Sequence, residues 1–313
     1  MQRIDITSQA IEAGHCSARL QMLGFRVWQA VDEQGADVAQ YIDPPLCDVP
    51  AGPFLMGSDQ SIDAEALEEE LPQHSVTLAA FQIGKYPVTA AEYAYAVRAR
   101  RAKKPPTDNY YRTWNMQLER LDHPVVNVDW YNAMKYAAWL SQLTGKTWGL
   151  ATEAQWEKAA RGTDGRIYPW GDEWNAALAN TLGGSIPLLI TTPIGEHPPE
   201  STSPYGAFDM AGNVWEWTRS TSADYPYDAT DGREYRKARE AIRPQYGSEF
   251  DEELGGTVWF PINDAKGMMA RGGCFDDIYE EARAASRKGV LPDSERGSIG
   301  FRLVLNEFSQ GIA

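Results

Sequence analysis

The sequence predicts an α+β fold with two main helices, short strands and long irregular loops. The clearest helix runs from Asp129 to Leu143, because apolar side chains recur at helical spacing and Gly145 follows them. A second helix is predicted within 150–162, where Thr152 and Gln155 match a capping box. Beyond it, glycine, proline, tryptophan and asparagine replace periodicity. That composition indicates a region held together by specific side-chain contacts.

Short strands are predicted on both sides of these helices, from alternating apolar and β-branched residues. They fall at 49–57, 75–78, 81–89, 270–273 and 300–305. Thr89 is a suitable N-cap for a further helix that carries Tyr93. The acidic stretch at 63–70 is predicted to be an exposed face or loop.

Residues 1–48 are predicted to form an N-terminal extension packed on the main domain, with a loosely patterned helix between Ser8 and Val31. The main domain is predicted to cover 49–313. It contains an unusually long aromatic-rich insertion at about 219–270, whose charged part, 233–243, is expected to form a short helix.

Composition limits the partners that are plausible. The net charge of −15 disfavours phosphate backbones and anionic lipid surfaces, so neither nucleic acid nor a membrane is expected as a partner. Three widely spaced cysteines form neither a disulfide framework nor a zinc pattern. The sequence has no signal peptide and no apolar run of about 18 residues, which predicts a cytoplasmic protein.

An ordered series of motifs indicates the family. The motifs are FLMGS at 54–58, FQIGKYPVT at 81–89, HPVVNVDWYNAMKYAAWLS at 123–141, LATEAQWEKAARG at 150–162, YPWGDEW at 168–174, YGAFDMAGNVWEWT at 205–218, RGG at 271–273 and GFRLV at 300–304. In this order they resemble the formylglycine-generating-enzyme (sulfatase-modifying factor) superfamily from about residue 50 to residue 305. The resemblance implies a C-type-lectin-like fold.

The resemblance also implies a calcium site in the segment 209–216. Asp209 and Glu216 would supply carboxylate oxygens, and Gly212 and Val214 would supply carbonyls. The alternative is that these acids bond to local backbone groups. A second calcium site of the family would begin at Asn180, but the aspartate that it needs is absent from 181–199.

The enzymes of this family depend on a cysteine pair after RGG that binds copper, since soft thiolates suit Cu(I). Aligned on RGG, the two cysteine positions hold Asp277 and Ala282, and Cys274 is the one thiol nearby. The related sulfoxide synthases take iron from an added helical domain, and residues 1–48 are too short to form it. We therefore expect no copper, no iron and no catalysis.

A third class with this fold comprises the variable proteins of diversity-generating retroelements, whose C-terminal segment forms a ligand-binding face. The scaffold positions match the family, while other positions in the segment differ. The matching positions are Arg283, Ala284, Arg287, Pro292, Arg296, Gly300, Phe301 and Arg302. The predicted ligand-binding residues are Phe275, Asp276, Asp277, Ile278, Tyr279, Ser286, Lys288, Val290, Ser294 and Ser298. Altered loop tips on an unchanged frame are typical of a binding surface. Ordinary drift on an exposed loop would give the same pattern.

Two aromatic residues of the insertion, Tyr246 and Trp259, are added to the predicted binding face, because aromatic loops give large contact areas at low entropic cost. The sequence thus predicts a non-catalytic protein whose ligand is a protein or another macromolecule. Two alternatives stay open: an oxygen-dependent modifying enzyme, and a structural or regulatory subunit that holds its partner through the insertion.

Overall fold

A computed structural model describes residues 2–106, 113–182, 190–234, 246–251, 256–261 and 267–305, the strands at 246–251 and 256–261 by their backbone alone. The predicted helix at 233–243 lies outside the described residues, apart from its first two positions. The described residues mix helices and strands as predicted. Among them, no helix is both long enough and apolar enough to cross a membrane.

Residues 2–43 form a small antiparallel sheet with two short helices. The elements are β1 (Gln2–Asp5), α1 (Thr7–Glu12), α2 (Ala18–Met22), β2 (Arg26–Val31) and β3 (Asp37–Asp43). The segment from Ser8 to Val31, predicted to hold a helix, contains two short helices rather than one continuous helix. Gly14 and Gly24 adopt left-handed backbone angles that interrupt it, and the chain then enters β2. Leu20 and Phe25 share one buried cluster with Tyr93, so this part of the chain packs on the rest.

Twelve strands and four helices follow in the described part of the main domain. They are β4 (Leu46–Val49), β5 (Gly52–Met56), β6 (His74–Leu78), β7 (Phe81–Gly84), α3 (Ala90–Arg98), α4 (Trp114–Leu118), α5 (Trp130–Thr144), β8 (Trp148–Leu150), α6 (Glu153–Arg161), β9 (Trp215–Thr221), β10 (Tyr246–Asp251), β11 (Gly256–Pro261), β12 (Met268–Arg271), β13 (Arg287–Val290), β14 (Ile299–Phe301) and β15 (Leu303–Leu305). Both main helices, α5 and α6, and the strands predicted around 54, 76, 83, 270 and 300–305 are confirmed.

The helix caps follow the sequence signals. The Asp129 carboxylate accepts from the backbone N–H of Asn132 at 2.7 Å, and Gly145 ends α5 with a φ of 70°. Thr152 and Gln155 form the predicted capping box of α6. Thr89 caps α3 as predicted.

Two four-stranded sheets are connected by the last two strands, β14 and β15, which belong to different sheets. One has the strand order β13-β12-β9-β14 and the other β4-β7-β15-β8. Arg302 lies between β14 and β15, where the chain passes from one sheet to the other. Its guanidinium donates to both carboxylate oxygens of Glu216 in β9, at 2.6 and 2.7 Å, and to the carbonyl of Gly84 in β7 at 3.0 Å. This arginine therefore ties the two sheets together.

Helix α6 is buried along its whole length and carries charged residues into the core. Glu153 accepts from Arg271 at 2.8 Å and from Arg287 at 2.7 and 2.8 Å. Burial alone would raise the pKa of Glu157, but Arg271 and Arg161 outweigh it and hold that pKa below its ordinary value. The buried charges are thus matched by partners.

The acidic stretch at 63–70 is mostly exposed as predicted, but Asp63, Ala66 and Glu70 are buried. Glu70 is fully buried and Asp63 is 7% exposed, because both bind the guanidinium of Arg283 at 2.7–2.8 Å. Composition alone hides this, since the arginine that neutralises the two acids lies more than 200 residues further along the chain.

We predict that Glu153→Gln lowers the free energy of unfolding by about 3–5 kcal/mol, because two buried guanidiniums lose a charged partner. Urea denaturation measures the change. The matched control is Asp164→Asn, which breaks an exposed ion pair to Arg166 and should cost less than about 1 kcal/mol. Equal costs for the two variants would contradict the assignment.

A second prediction concerns Glu92, whose Oε2 accepts from Thr89 while Oε1 has no partner among the described residues. Burial raises the pKa of Glu92 to about 7, from 4.5. The folded state therefore keeps a proton that the unfolded state releases, and the free energy of unfolding falls as the pH rises from about 5 to about 7. We expect Glu92→Gln to remove about 3 kcal/mol of this fall.

Chemical denaturation at pH 5, 6, 7 and 8 tests the pH dependence. The control variant, Glu68→Gln, changes an exposed residue and should keep the wild-type slope. Parallel slopes for wild type and Glu92→Gln would show that Glu92 is ionised in the fold.

Candidate functional site

The loop before β9 places Asp209 in the interior, and β9 itself carries Glu216 there. Both carboxylate oxygens of Glu216 accept hydrogen bonds. Arg302 donates to each of them, and Trp156 Nε1 donates to one of them at 2.7 Å. Asp209 accepts from the backbone N–H of Gly195 at 2.9 Å, and burial raises the pKa of its carboxyl. A calcium ion beside Glu216 would meet the positive charge of Arg302, so Glu216 does not fit a calcium ligand. For Asp209, Gly212 and Val214, calcium binding stays a prediction.

The C-terminal segment comprises residues 271–302, and the turn after β12 determines its course. Gly273 has a φ of 68°, and a Cβ there would lie 2.6 Å from the carbonyl oxygen of Glu281. The chain can therefore fold tightly back on itself after Arg271. On the far side of the turn, the guanidinium of Arg283 donates to the carbonyl of Glu280 at 2.7 Å. The stretch between these two points is held at both ends.

Cys274, Asp276 and Asp277 meet at the start of this stretch. The buried Sγ of Cys274 lies 2.8 Å from an Asp276 oxygen and 2.7 Å from an Asp277 oxygen. Trp215 Nε1 donates to the same Asp277 oxygen at 2.6 Å. Burial and the two carboxylates raise the pKa of the Cys274 thiol far above its ordinary value. The thiol is therefore protonated at neutral pH and is a poor nucleophile.

The same three side chains are the one group of potential metal ligands in the described part of the chain. One thiol and two carboxylates can bind zinc, but they do not reproduce a two-thiolate copper site. Lys288 lies 3.8 Å from the other oxygen of Asp277 and already supplies a positive charge. Chemically, the cluster is therefore suited to holding the segment in place and unsuited to activating oxygen through a thiolate pair.

The structure divides the predicted binding residues by exposure. Asp276, Ile278 and Tyr279 are exposed, whereas Asp277, Lys288, Ser294 and Ser298 are partly exposed. Tyr246 and Trp259 lie on the paired strands β10 and β11, and their side chains are outside the described part of the chain.

Three of the predicted binding residues are wrong as surface contacts. Phe275 is fully buried, and its N–H donates to the carbonyl of Asn213. Ser286 is buried and donates to Glu281 at 3.0 Å. Val290 is 4% exposed and pairs with Met268 across β12 and β13. The turn after β12 and the strand β13 bury these three side chains, although the sequence predicted that they are exposed.

An aromatic shelf of Trp170, Trp174 and Tyr279 adjoins the exposed residues, and the sequence analysis missed it. Tyr279 stacks on Trp174 with ring centroids 5.4 Å apart, and Trp174 lies 5.9 Å from Trp170. Both tryptophans are partly exposed. The YPWGDEW motif contains the signal that could have indicated a surface, because its two tryptophans are four residues apart with Asp172 and Glu173 between them.

Comparison with known proteins identifies the family of this chain. A model of the sulfatase-modifying factor enzyme 1-like domain matches residues 39–307. The chain is 27% identical over 309 residues to the inactive C-alpha-formylglycine-generating enzyme 2 of Mus musculus, covering 83% of this chain and 85% of that protein. It is 31% identical to the formylglycine-generating enzyme of Mycobacterium tuberculosis, covering 84% and 98%.

A further relative is longer than this chain. The serine/threonine-protein kinase pkn1 of Chlamydia pneumoniae is 30% identical over 82% of this chain, which spans 37% of that protein's length.

Two solved structures share the fold. PvdO from Pseudomonas aeruginosa is 27% identical with a TM-score of 0.62, covering 84% of this chain and 94% of PvdO. Treponema denticola variable protein 1 is 21% identical with a TM-score of 0.58, covering 85% and 95%. The relatives include proteins named as enzymes and a protein named as inactive. The chain belongs to the family of the sulfatase-modifying factor enzyme 1-like domain, and its fold is that of the formylglycine-generating enzymes.

Proposed function

We propose that this chain is a non-catalytic ligand-binding member of its family. One observation carries the proposal: the position of the first catalytic cysteine holds Asp277, and its carboxylate bonds to Trp215 and to the single nearby thiol. A protonated thiol between two carboxylates lacks the paired thiolates on which the family's chemistry depends. The mouse relative that is named inactive supports the same conclusion.

The proposed binding face consists of Asp276, Ile278 and Tyr279 together with the aromatic shelf. Ile278 is 52% exposed and Tyr279 is 39% exposed, although both are large side chains. Aromatic and aliphatic anchors surrounded by charged groups are typical of protein-binding hot spots. A protein or another macromolecule therefore suits this face better than a small polar ligand.

Diversification by a retroelement is the finer form of the proposal. The exposed residues 276, 278 and 279 lie between Arg271 and Arg283, which are buried and ion-paired. Substitutions at the exposed positions would leave these pairs intact. The shared fold with Treponema denticola variable protein 1 supports this form of the proposal. A single fixed partner is the alternative.

The compartment is part of the proposal. Cys16, Cys47 and Cys274 are free and buried. Free thiols suit a reducing compartment such as the cytoplasm.

An enzymatic function is the second candidate, favoured by the Cys274, Asp276 and Asp277 cluster and by the Mycobacterium tuberculosis relative. Metal analysis and an oxygen electrode distinguish the two candidates. The binding proposal expects that copper or iron, added with a cysteine-containing peptide and a reductant, gives no oxygen consumption above that of the same mixture without the protein. Steady consumption at stoichiometric metal would favour the enzyme.

We predict that none of the three thiols of the folded protein reacts rapidly with iodoacetamide at pH 8. Burial raises the pKa of all three thiols, that of Cys16 to about 11. Mass spectrometry of the labelled sites measures the rates. Asp277→Asn removes one negative charge beside Cys274 and should speed labelling there, whereas Asp172→Asn, at an exposed loop position, should not. Rapid labelling of wild-type Cys274 at pH 7 would refute the inert-thiol interpretation.

We also predict that the ligand captured by the wild-type protein is lost when the face is altered. Tyr279→Ser and Trp174→Ala should each weaken binding by about tenfold or more, as for hot-spot residues. Ile62→Ser, a change at a 65% exposed position on another loop, is the control and should bind normally. Surface plasmon resonance measures the affinities. Binding that survives both face variants but is lost on changes within 246–261 would instead support a subunit that uses the insertion.

A further inference from the structure

A cavity of about 430 Å³ opens between β3, the end of α3 and α5. Val38 and Ala39 line it from the N-terminal sheet, Arg98 and Ala99 from α3, and Leu143 from α5. This volume is within the range of small-molecule sites. None of its described lining residues belongs to the C-terminal segment, so the cavity is separate from the proposed binding face.

The charge of this cavity is opposite to that of the protein. The chain carries a net charge of −15, yet Arg98 and Arg101 line the cavity and none of its described lining residues has a carboxylate. Arg98 takes part in no ion pair with the described residues. Its guanidinium lies over the ring of Tyr95, 4.3 Å from the centroid. Arg98 is exposed to solvent, so its guanidinium is accessible to a bound anion.

Aromatic and apolar side chains form the rest of the wall. Tyr95 lines the cavity but is 2% exposed, and its hydroxyl oxygen is buried. Trp139 and Leu143 line the cavity beside it. The cavity therefore combines an arginine with an apolar, partly aromatic wall.

We propose that this cavity binds a small organic anion that carries a carboxylate on a flat apolar ring. The planar guanidinium of Arg98 matches a carboxylate, which accepts two parallel hydrogen bonds from such a fork. The ring packs against the walls formed by Trp139 and Leu143, where aromatic surface gains from contact. The site is independent of the proposed macromolecular ligand.

Isothermal titration calorimetry of the full chain with 2-naphthoate tests the site, with neutral 2-naphthamide as the matched probe. We expect naphthoate to bind with a Kd below about 1 mM and naphthamide to bind at least tenfold more weakly. Arg98→Gln should weaken naphthoate binding by about tenfold. Arg100→Gln, at an exposed arginine outside the cavity, should leave it unchanged.

A second pair of variants tests the location by shape. Ala99→Phe fills the cavity and should abolish naphthoate binding, whereas Ala138→Phe, at an exposed position of α5 outside the cavity, should not. Thermal unfolding checks that all four variants fold. The proposal is overturned if wild type gives no binding heat at about 1 mM naphthoate, if naphthamide binds equally well, or if each variant behaves like its control.

Discussion

Buried ion pairs between distant parts of the chain are the interaction on which this fold depends. Arg271 and Arg287 meet the carboxylates of α6, Arg283 meets Asp63 and Glu70, and Arg302 meets Glu216. All four arginines come from the C-terminal segment. Together the pairs join it to three earlier parts of the chain, namely α6, the stretch 63–70 and β9. Because an unmatched buried charge is costly, these pairs fix where the segment runs.

These ion pairs separate the buried arginines, which fix the backbone, from the exposed side chains between Arg271 and Arg283. Between Arg271 and Arg283 the backbone is held at both ends, so the exposed side chains at 278 and 279 contribute little to the core. They can change without loss of the fold, which is what a binding surface requires. Asp277 is different, since it connects Trp215 to the thiol of Cys274. Asp277 is therefore part of the support of this segment.

Local signals predicted the regular elements well, and long-range contacts explain the failures. The caps Thr89, Asp129 and Thr152 lie within three residues of their partners, so the sequence reveals them. The burial of Asp63 depends on Arg283, which is 220 residues away and cannot be inferred from local composition. Likewise, Phe275 and Val290 were predicted as exposed binding residues. The turn after β12 buries Phe275, and the pairing of β12 with β13 buries Val290. The aromatic shelf joins 170–174 to 279, and its location required the fold.

Sequencing codons 274–302 of this gene across a natural population tests the central claim most directly. A binding face on a fixed frame predicts an excess of substitutions at 276, 278 and 279. It also predicts that Arg283, Arg287 and Arg302 stay constant. The opposite result is that Cys274, Asp276 and Asp277 are constant as a set while Ile278 and Tyr279 vary no more than other exposed positions. Such constancy is expected of a metal or catalytic centre, and it would contradict the account.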